Sequence, residues 1–154
     1  MTHLTETDEQ QAEEGTARWV PLPALLDDLV TRSFREFHQR LNEAGHPSLR
    51  PGHGCVFRFI HEGGSRLTEL AGSSGLTKQA VGEVVDDLEQ LGYVERDADP
   101  EDRRAKIIRL TTHGADAQQT AIRIFGEIER DWAERYGTER VAAMRELLEE
   151  MAGV

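Results

Sequence analysis

The chain has 154 residues, of which 38% are hydrophobic, 31% are charged and 6% are aromatic. This length suits one compact domain with its own core, and the low aromatic content argues against an all-β fold. A net charge of −11 argues against strong non-specific binding to nucleic acid, and the single cysteine, Cys55, excludes an internal disulfide and a multi-cysteine metal site.

Residues 1–20 are mostly polar and acidic and are expected to form a disordered tail. They lack the basic start and the apolar run of a signal peptide, and no later stretch reaches the roughly 18 consecutive apolar residues of a membrane span. We therefore expect a cytoplasmic protein without a membrane partner, in which residues 21–154 form a single domain.

The first half of this domain is predicted to contain three helices. Apolar residues recur at three- and four-residue steps over residues 22–44, which predicts a long amphipathic helix. A second helix is predicted over residues 52–62. A short third helix is predicted over residues 66–72, with Ser65 as its N-cap.

A tight turn separates the third helix from a fourth, which Thr77 is expected to cap and Gly92 to end. Two strands are predicted at residues 93–96 and 106–111, joined by an Asp- and Pro-rich loop that is typical of a solvated turn. Two more helices follow, the first capped by Thr111 or Thr112.

The predicted fold class is mainly α with a small β-hairpin wing. A winged helix-turn-helix occupies residues 47–111, and the flanking segments, residues 21–46 and 112–154, supply dimerisation helices. These helices have more apolar surface than one small winged domain can cover, which also favours a homodimer.

A winged helix-turn-helix suits double-stranded DNA, because its second helix fits the major groove and its wing can place an arginine in the minor groove. Residues 46–111 contain nine basic and eleven acidic residues, so most of the excess negative charge lies in the flanks. The candidate DNA-binding residues are Arg66, Thr77, Lys78, Gln79, Gly82, Arg103, Arg104 and Lys106, with Asp102 as the acidic residue that positions the wing arginine.

Each candidate also has a purely structural interpretation. Thr77 can serve as an ordinary N-cap, Lys78 and Gln79 as part of a solvated helix face, and Gly82 as space for a neighbouring side chain. The charged loop that contains the wing residues can be a solvated turn.

The sequence resembles the MarR (multiple antibiotic resistance) family of regulators. The resemblance rests on Leu70-Ala71, the turn ending in Leu76-Thr77, Val84-Val85-Asp86-Asp87-Leu88-Glu89, Leu91-Gly92-Tyr93-Val94-Glu95-Arg96, Asp102-Arg103-Arg104 and Leu110-Thr111-Thr112-His113-Gly114. It is strongest over residues 66–114. It implies an obligate homodimer, built by the first and last helices, that binds pseudo-palindromic operators and commonly represses transcription.

By this resemblance, Thr77, Lys78 and Gln79 match the base- and phosphate-contacting start of the recognition helix. Arg104 matches the wing arginine and Asp102 its acidic companion. Where relatives often carry Ser or Thr and then Arg, this sequence has Gly82 and Glu83, which places an acid towards DNA.

The resemblance also implies a pocket for a small aromatic or phenolic effector between the helix bundle and the winged domain. Its expected lining consists of Phe34, Phe37, His38, Phe57 and Arg58.

Other chemistry finds little support. Cys55 could be a redox sensor, but its place on an apolar helix face without a nearby second cysteine favours a buried core thiol. His46, His53 and His61 do not have the spacing of helical metal ligands, so no metal or cofactor is predicted. No phosphate loop or nucleophile motif indicates an enzyme.

A second hypothesis is a winged-helix protein-interaction module that does not bind DNA. The acidic residues Glu83, Asp86, Asp87 and Glu89 favour it, whereas Arg103, Arg104 and Lys106 oppose it.

Overall fold

The computed structural model describes residues 19–100, 102 and 104–154, so most of the predicted tail and Arg103 lie outside the described residues. The chain divides into two compact units, Met1–Arg32 and Ser33–Val154, with the boundary inside the first helix. Among the described residues, no helix is both long and apolar enough to cross a membrane.

Most of the chain is helical, as predicted. We number the helices α1 to α6 and the strands β1 to β3. The elements are α1 (Leu22–Glu43), a 3₁₀ turn (Pro51–His53), α2 (Gly54–Phe57), β1 (Ser65–Arg66), α3 (Leu67–Ser74), α4 (Lys78–Gln90), β2 (Val94–Ala98), β3 (Lys106–Leu110), α5 (Thr112–Tyr136) and α6 (Thr138–Ala152).

The wing is a three-stranded antiparallel sheet in the order β1-β3-β2. Strands β2 and β3 form the predicted hairpin, with Val94 opposite Leu110 and Ala98 opposite Lys106. The third strand, β1, was not predicted, because its two residues are too few to show an alternating pattern. It pairs Ser65 with Ile108 and thereby joins the start of the helix-turn-helix to the wing.

The second helix is shorter than predicted. The continuous helix expected over residues 52–62 is a 3₁₀ turn followed by the four residues of α2, and the chain then turns towards β1. The Ser65 hydroxyl accepts a hydrogen bond from the backbone N–H of His61, at 3.0 Å. It closes this turn and does not cap α3, so the predicted role of Ser65 as an N-cap is wrong.

The core of Ser33–Val154 forms where α3 and α4 pack against the sheet. Val81, Val85 and Leu88 recur at helical spacing along α4 and are fully buried, together with Leu70 of α3 and Ile108 of β3. Burying each such side chain contributes roughly 1.5–3 kcal/mol. Because this inner face fixes the rotation of α4 about its axis, it also decides which residues of α4 face outwards.

Candidate nucleic-acid interface

The first turn of α4 is the most exposed part of the helix-turn-helix. Thr77 caps the helix as predicted, since its hydroxyl accepts a hydrogen bond from the backbone N–H of Ala80 at 3.1 Å. Thr77, Lys78 and Gln79 are all exposed, and Lys78 forms no ion pair with any described residue. The amide of Gln79 donates to Glu83, one turn later, at 3.3 Å. These three residues can therefore reach a ligand without unfolding any part of the core.

Gly82 is half-buried beside α3. A Cβ atom at this position would lie 3.8 Å from Leu67 Cδ2, an ordinary van der Waals contact. Packing therefore does not require glycine here, which weakens the interpretation that Gly82 makes room for a neighbouring side chain.

Three of the four acidic residues of α4 are held in ion pairs within the chain, and the fourth, Glu83, is exposed and accepts, among the described residues, only from Gln79. Arg96 of β2 binds Asp86 at 2.5 Å and also pairs with Glu89. On another side of the helix, Asp87 pairs with Arg50 and lies 2.8 Å from His53 Nε2. Two arginines thus offset part of the negative charge that favoured a protein-binding surface. The contacts of Arg50 and Arg96 were not predicted, because nothing in their spacing along the chain shows that they meet α4.

The pairing of Asp87 makes a pH-dependent contribution to stability. The hydrogen bond from His53, followed by the charge of Arg50, lowers the pKa of Asp87 from its ordinary value of 3.8. A lowered pKa in the folded state stabilises the fold above the unfolded pKa, and this contribution disappears as the pH falls through the folded value. Asp87→Asn is therefore expected to reduce the free energy of unfolding at pH 7, with a smaller difference from the wild type at pH 3.

Urea denaturation at the two pH values measures this change. The exposed Glu62, which has no ion-pair partner among the described residues, provides a control in Glu62→Gln. An equal deficit for Asp87→Asn at both pH values would contradict the expected linkage.

At the base of the wing, a buried carboxylate joins the loop to β1. Asp99 is only 2% exposed, and its Oδ2 accepts from Arg66 Nε at 2.6 Å and lies 2.5 Å from a terminal guanidinium nitrogen of Arg66. The expectation that the whole Asp- and Pro-rich loop is solvated is therefore wrong at Asp99. Arg66 therefore anchors the base of the wing, and its contact with DNA stays a prediction.

Asp102 organises the tip of the wing through the backbone. Its Oδ1 accepts from the backbone N–H of Arg104 at 3.0 Å, and its carbonyl accepts from Ala105 N at 2.8 Å. Asp102 thus contacts the backbone of Arg104 and not its guanidinium, and its role in positioning the wing arginine stays a prediction. Arg104 is exposed, and no described residue pairs with its guanidinium; Lys106 is also exposed, at the start of β3.

A cavity of about 590 Å³ lies within Ser33–Val154, lined by residues of α1, of the segment 49–58 and of α5. All five residues expected to line an effector pocket, Phe34, Phe37, His38, Phe57 and Arg58, surround it. Its wall is aromatic, with the Phe37 and Phe125 rings stacked at 4.2 Å between centroids. Gln118 and Arg50 add polar groups that the sequence analysis did not identify.

His38 is the unusual polar group of this cavity. Its Nδ1 is buried and has no hydrogen-bond partner among the described residues. Burial, followed by the nearby charge of His53, lowers the pKa of His38. The lowered pKa favours the neutral ring at physiological pH, and a neutral ring can donate or accept a hydrogen bond with a ligand. Arg58 lies at the exposed edge of the cavity, where its charge can attract an anion.

Cys55 is half-buried and donates from its thiol to the carbonyl of Gly52 at 3.2 Å. Burial raises the pKa of the Cys55 thiol, which favours its protonated form.

Comparison with known proteins supports the fold and the helix-turn-helix. The model of the MarR family matches residues 56–106. The comparison with curated protein sequences gave no match. The matched family consists of transcription regulators, in agreement with the prediction that the chain is not an enzyme.

Three solved structures illustrate the shared fold. The transcriptional repressor CouR, bound to a 23-mer DNA duplex, is 22% identical, with a TM-score of 0.70 over 98% of this chain and 99% of that one. The reduced form of MarR from E. coli is 20% identical, with a TM-score of 0.72 over 86% and 97%. The transcriptional regulator Tm0710 from Thermotoga maritima is 26% identical, with a TM-score of 0.60 over 86% and 92%.

Proposed function

We propose that this protein, whose residues 56–106 match the model of the MarR family, is a sequence-specific DNA-binding transcriptional regulator. It binds a pseudo-palindromic operator as a homodimer and acts as a repressor in the cytoplasm. The observation that carries the proposal is the pair of exposed cationic elements, the start of α4 and the wing tip, on a helix-turn-helix in which Asp86, Asp87 and Glu89 are paired internally.

The two elements suit the two grooves of B-DNA. The first turn of α4 presents Lys78 and Gln79, whose side chains can bind guanine and adenine edges in the major groove, and its backbone N–H groups favour phosphate. Arg104 lies at the tip of the hairpin, where it can enter the adjacent minor groove, which attracts arginine through its negative potential. The DNA complex of CouR, a protein with the same fold, supports DNA as the ligand.

Local charge balance explains how a protein of charge −11 can approach DNA. Arg96 pairs with Asp86 and Glu89, and Arg50 pairs with Asp87. The charged side chains of this face without an ion-pair partner among the described residues include Lys78, Arg104 and Glu83. We expect a modest number of phosphate contacts, and hence binding that depends more on specific contacts than on bulk charge.

The homodimer is supported by the last helix. None of the fifteen residues of α6 is buried, although the helix contains Val141, Leu147, Leu148 and Met151. Leu147 is 56% exposed and Met151 is 66% exposed. An apolar patch of this kind on a surface helix is typical of an interface with another protein chain. Trp132 of α5 is half-buried and packs on the core of its own protomer, so it adds little to this exposed apolar surface. Sedimentation is expected to show a dimer at micromolar concentration, and a monomer there would contradict the proposal.

An unbiased selection from random DNA duplexes tests DNA binding with the purified protein. The expected result is an enriched pseudo-palindrome whose half-sites lie about one helical turn apart. Selected duplexes are then measured by fluorescence anisotropy. A folded dimer that enriches no sequence would support the protein-interaction module instead.

We further propose that the cavity binds a small aromatic anion that controls operator binding. The aromatic wall can stack on a ring, and His38 and Arg58 can bind its polar groups. Phenolic carboxylates such as salicylate are expected to raise the melting temperature and to weaken operator binding. Phe37→Ala opens the aromatic wall, so it is expected to weaken both effects.

The matched control for this ligand experiment is Phe59→Ala, a partly buried aromatic residue outside the cavity lining. If a panel of aromatic acids changes neither the melting temperature nor operator affinity, the proposed control by an effector is wrong, and DNA binding is unaffected by that result.

A further inference from the structure

Two histidines and an aspartate lie close together at the start of α5, and none of the three lines the cavity. His113 and Asp116 lie on the first turns of α5, three residues apart and hence on one face, and His46 lies in the loop after α1. One potential ligand atom from each of the three side chains lies within 4.8 Å of the others. We propose that His46, His113 and Asp116 bind a Zn²⁺ ion, with water completing the coordination.

The orientation of His46 is the first support for this site. His46 is 1% exposed, and its Nδ1 lies 3.3 Å from the hydroxyl of Tyr93, which is itself 2% exposed. Metal-bound histidines commonly donate one ring N–H to a neighbouring oxygen, which fixes the tautomer and leaves the other nitrogen for the ion. The Tyr93 hydroxyl supplies that oxygen here, so Nε2 of His46 is the nitrogen available to a metal.

The environment of that nitrogen is the second support. His46 Nε2 is buried and makes no hydrogen bond with a described residue, although Asp116 Oδ2 is only 3.2 Å away. A buried polar atom without a hydrogen bond is unfavourable by about 1–3 kcal/mol. Two ligands of a tetrahedral zinc ion, each about 2.0–2.2 Å from the metal, lie about 3.3–3.6 Å apart. The His46–Asp116 pair therefore has the separation of two zinc ligands without the geometry of a hydrogen bond.

The third ligand and the entry path complete the site. The His113 ring stacks on Tyr93, with 4.3 Å between centroids, and lies 5.1 Å from the His46 ring. His113 and Asp116 are exposed, so their side chains can adjust around an ion that arrives from solvent. Two neutral imidazoles and one carboxylate suit Zn²⁺, whereas Mg²⁺ and Ca²⁺ prefer oxygen ligands.

Titration of the full-length, metal-free protein with Zn²⁺ in a calorimeter tests the site without DNA. We expect one ion per chain, and Co²⁺ in its place is expected to give the visible absorption of tetrahedral coordination. His113→Ala and Asp116→Ala each remove an exposed side chain, so the fold should persist. Each is expected to weaken Zn²⁺ binding by at least about tenfold, the loss that removal of an outer-shell partner alone can produce.

Two more variants separate a built site from adventitious binding. Tyr93→Phe removes only the hydroxyl that orients His46, and we expect about tenfold weaker binding. His61→Ala removes an exposed histidine outside the cluster and should leave the affinity unchanged. The proposal is overturned if no heat of binding appears at micromolar Zn²⁺, or if binding persists unchanged in His113→Ala and Asp116→Ala. Either result leaves the proposed DNA-binding function intact.

Discussion

Replacing Arg104 with alanine is expected to weaken operator binding by at least about tenfold. Arg104 is exposed at the wing tip, and its backbone N–H donates to Asp102. The side chain of Arg104 therefore extends from a turn whose backbone is already fixed. Losing one charged groove contact in each subunit reduces the binding free energy by about 1–3 kcal/mol per contact. A homodimer loses two such contacts at a symmetric site.

The dependence on salt gives a second readout of the same variant. The slope of log affinity against log salt changes by about one unit for each phosphate-neutralising charge that is removed. Arg104→Ala is therefore expected to flatten this slope visibly, because few uncompensated cations face DNA in this protein. Fluorescence anisotropy with a selected duplex at several salt concentrations measures affinity and slope together.

Arg145→Ala is the control for this experiment. Arg145 lies on α6, where it pairs with Glu129 at 2.5 Å and with Glu149 at 3.3 Å, away from the helix-turn-helix. It changes the net charge by the same amount as Arg104→Ala, so a general charge effect would appear in both variants. Unchanged affinity in a folded, dimeric Arg104→Ala protein would contradict the wing assignment and favour a protein-interaction module.

Local sequence signals predicted the helix-turn-helix well. The cap at Thr77 and the spacing of Val81, Val85 and Leu88 determine where α4 begins and which face it buries, and both depend only on nearby residues. The exposed positions of Lys78 and Gln79 follow from the same rotation of the helix.

Contacts between residues distant in sequence could not be predicted in this way. Arg96 reaches Asp86 across a helix and a strand, and Asp99 is buried because Arg66 of β1 lies beside it. The convergence of His46 with His113 depends on how the loop after α1 meets α5. A spacing rule detects ligands on one helix, so it could not find a set that two separate segments supply.

The resemblance to a known family identified Gly114 as part of a motif, and the structure gives the physical reason. Gly114 is buried in the first turn of α5, where its N–H donates to the capping hydroxyl of Thr111 at 3.0 Å. A Cβ atom at Gly114 would lie 1.9 Å from the carbonyl oxygen of Tyr93. That oxygen also accepts from Thr111 N at 3.0 Å, which fixes the distance between α5 and the start of the wing.

Gly114→Ala is accordingly expected to destabilise the fold by about 3 kcal/mol, at the upper end of the usual effect of overpacking. The effect is large because the backbone of α5 and the backbone at Tyr93 must both move to admit the methyl group. The matched control is Gly126→Ala on the same helix, where a Cβ atom would have no neighbour within 4 Å. Alanine there should raise stability by about 0.5–1 kcal/mol through its higher helix propensity. Urea denaturation at one fixed protein concentration compares the two variants with the wild type. If Gly114→Ala proved as stable as Gly126→Ala, α5 could not lie as close to the Tyr93 carbonyl as the structure places it.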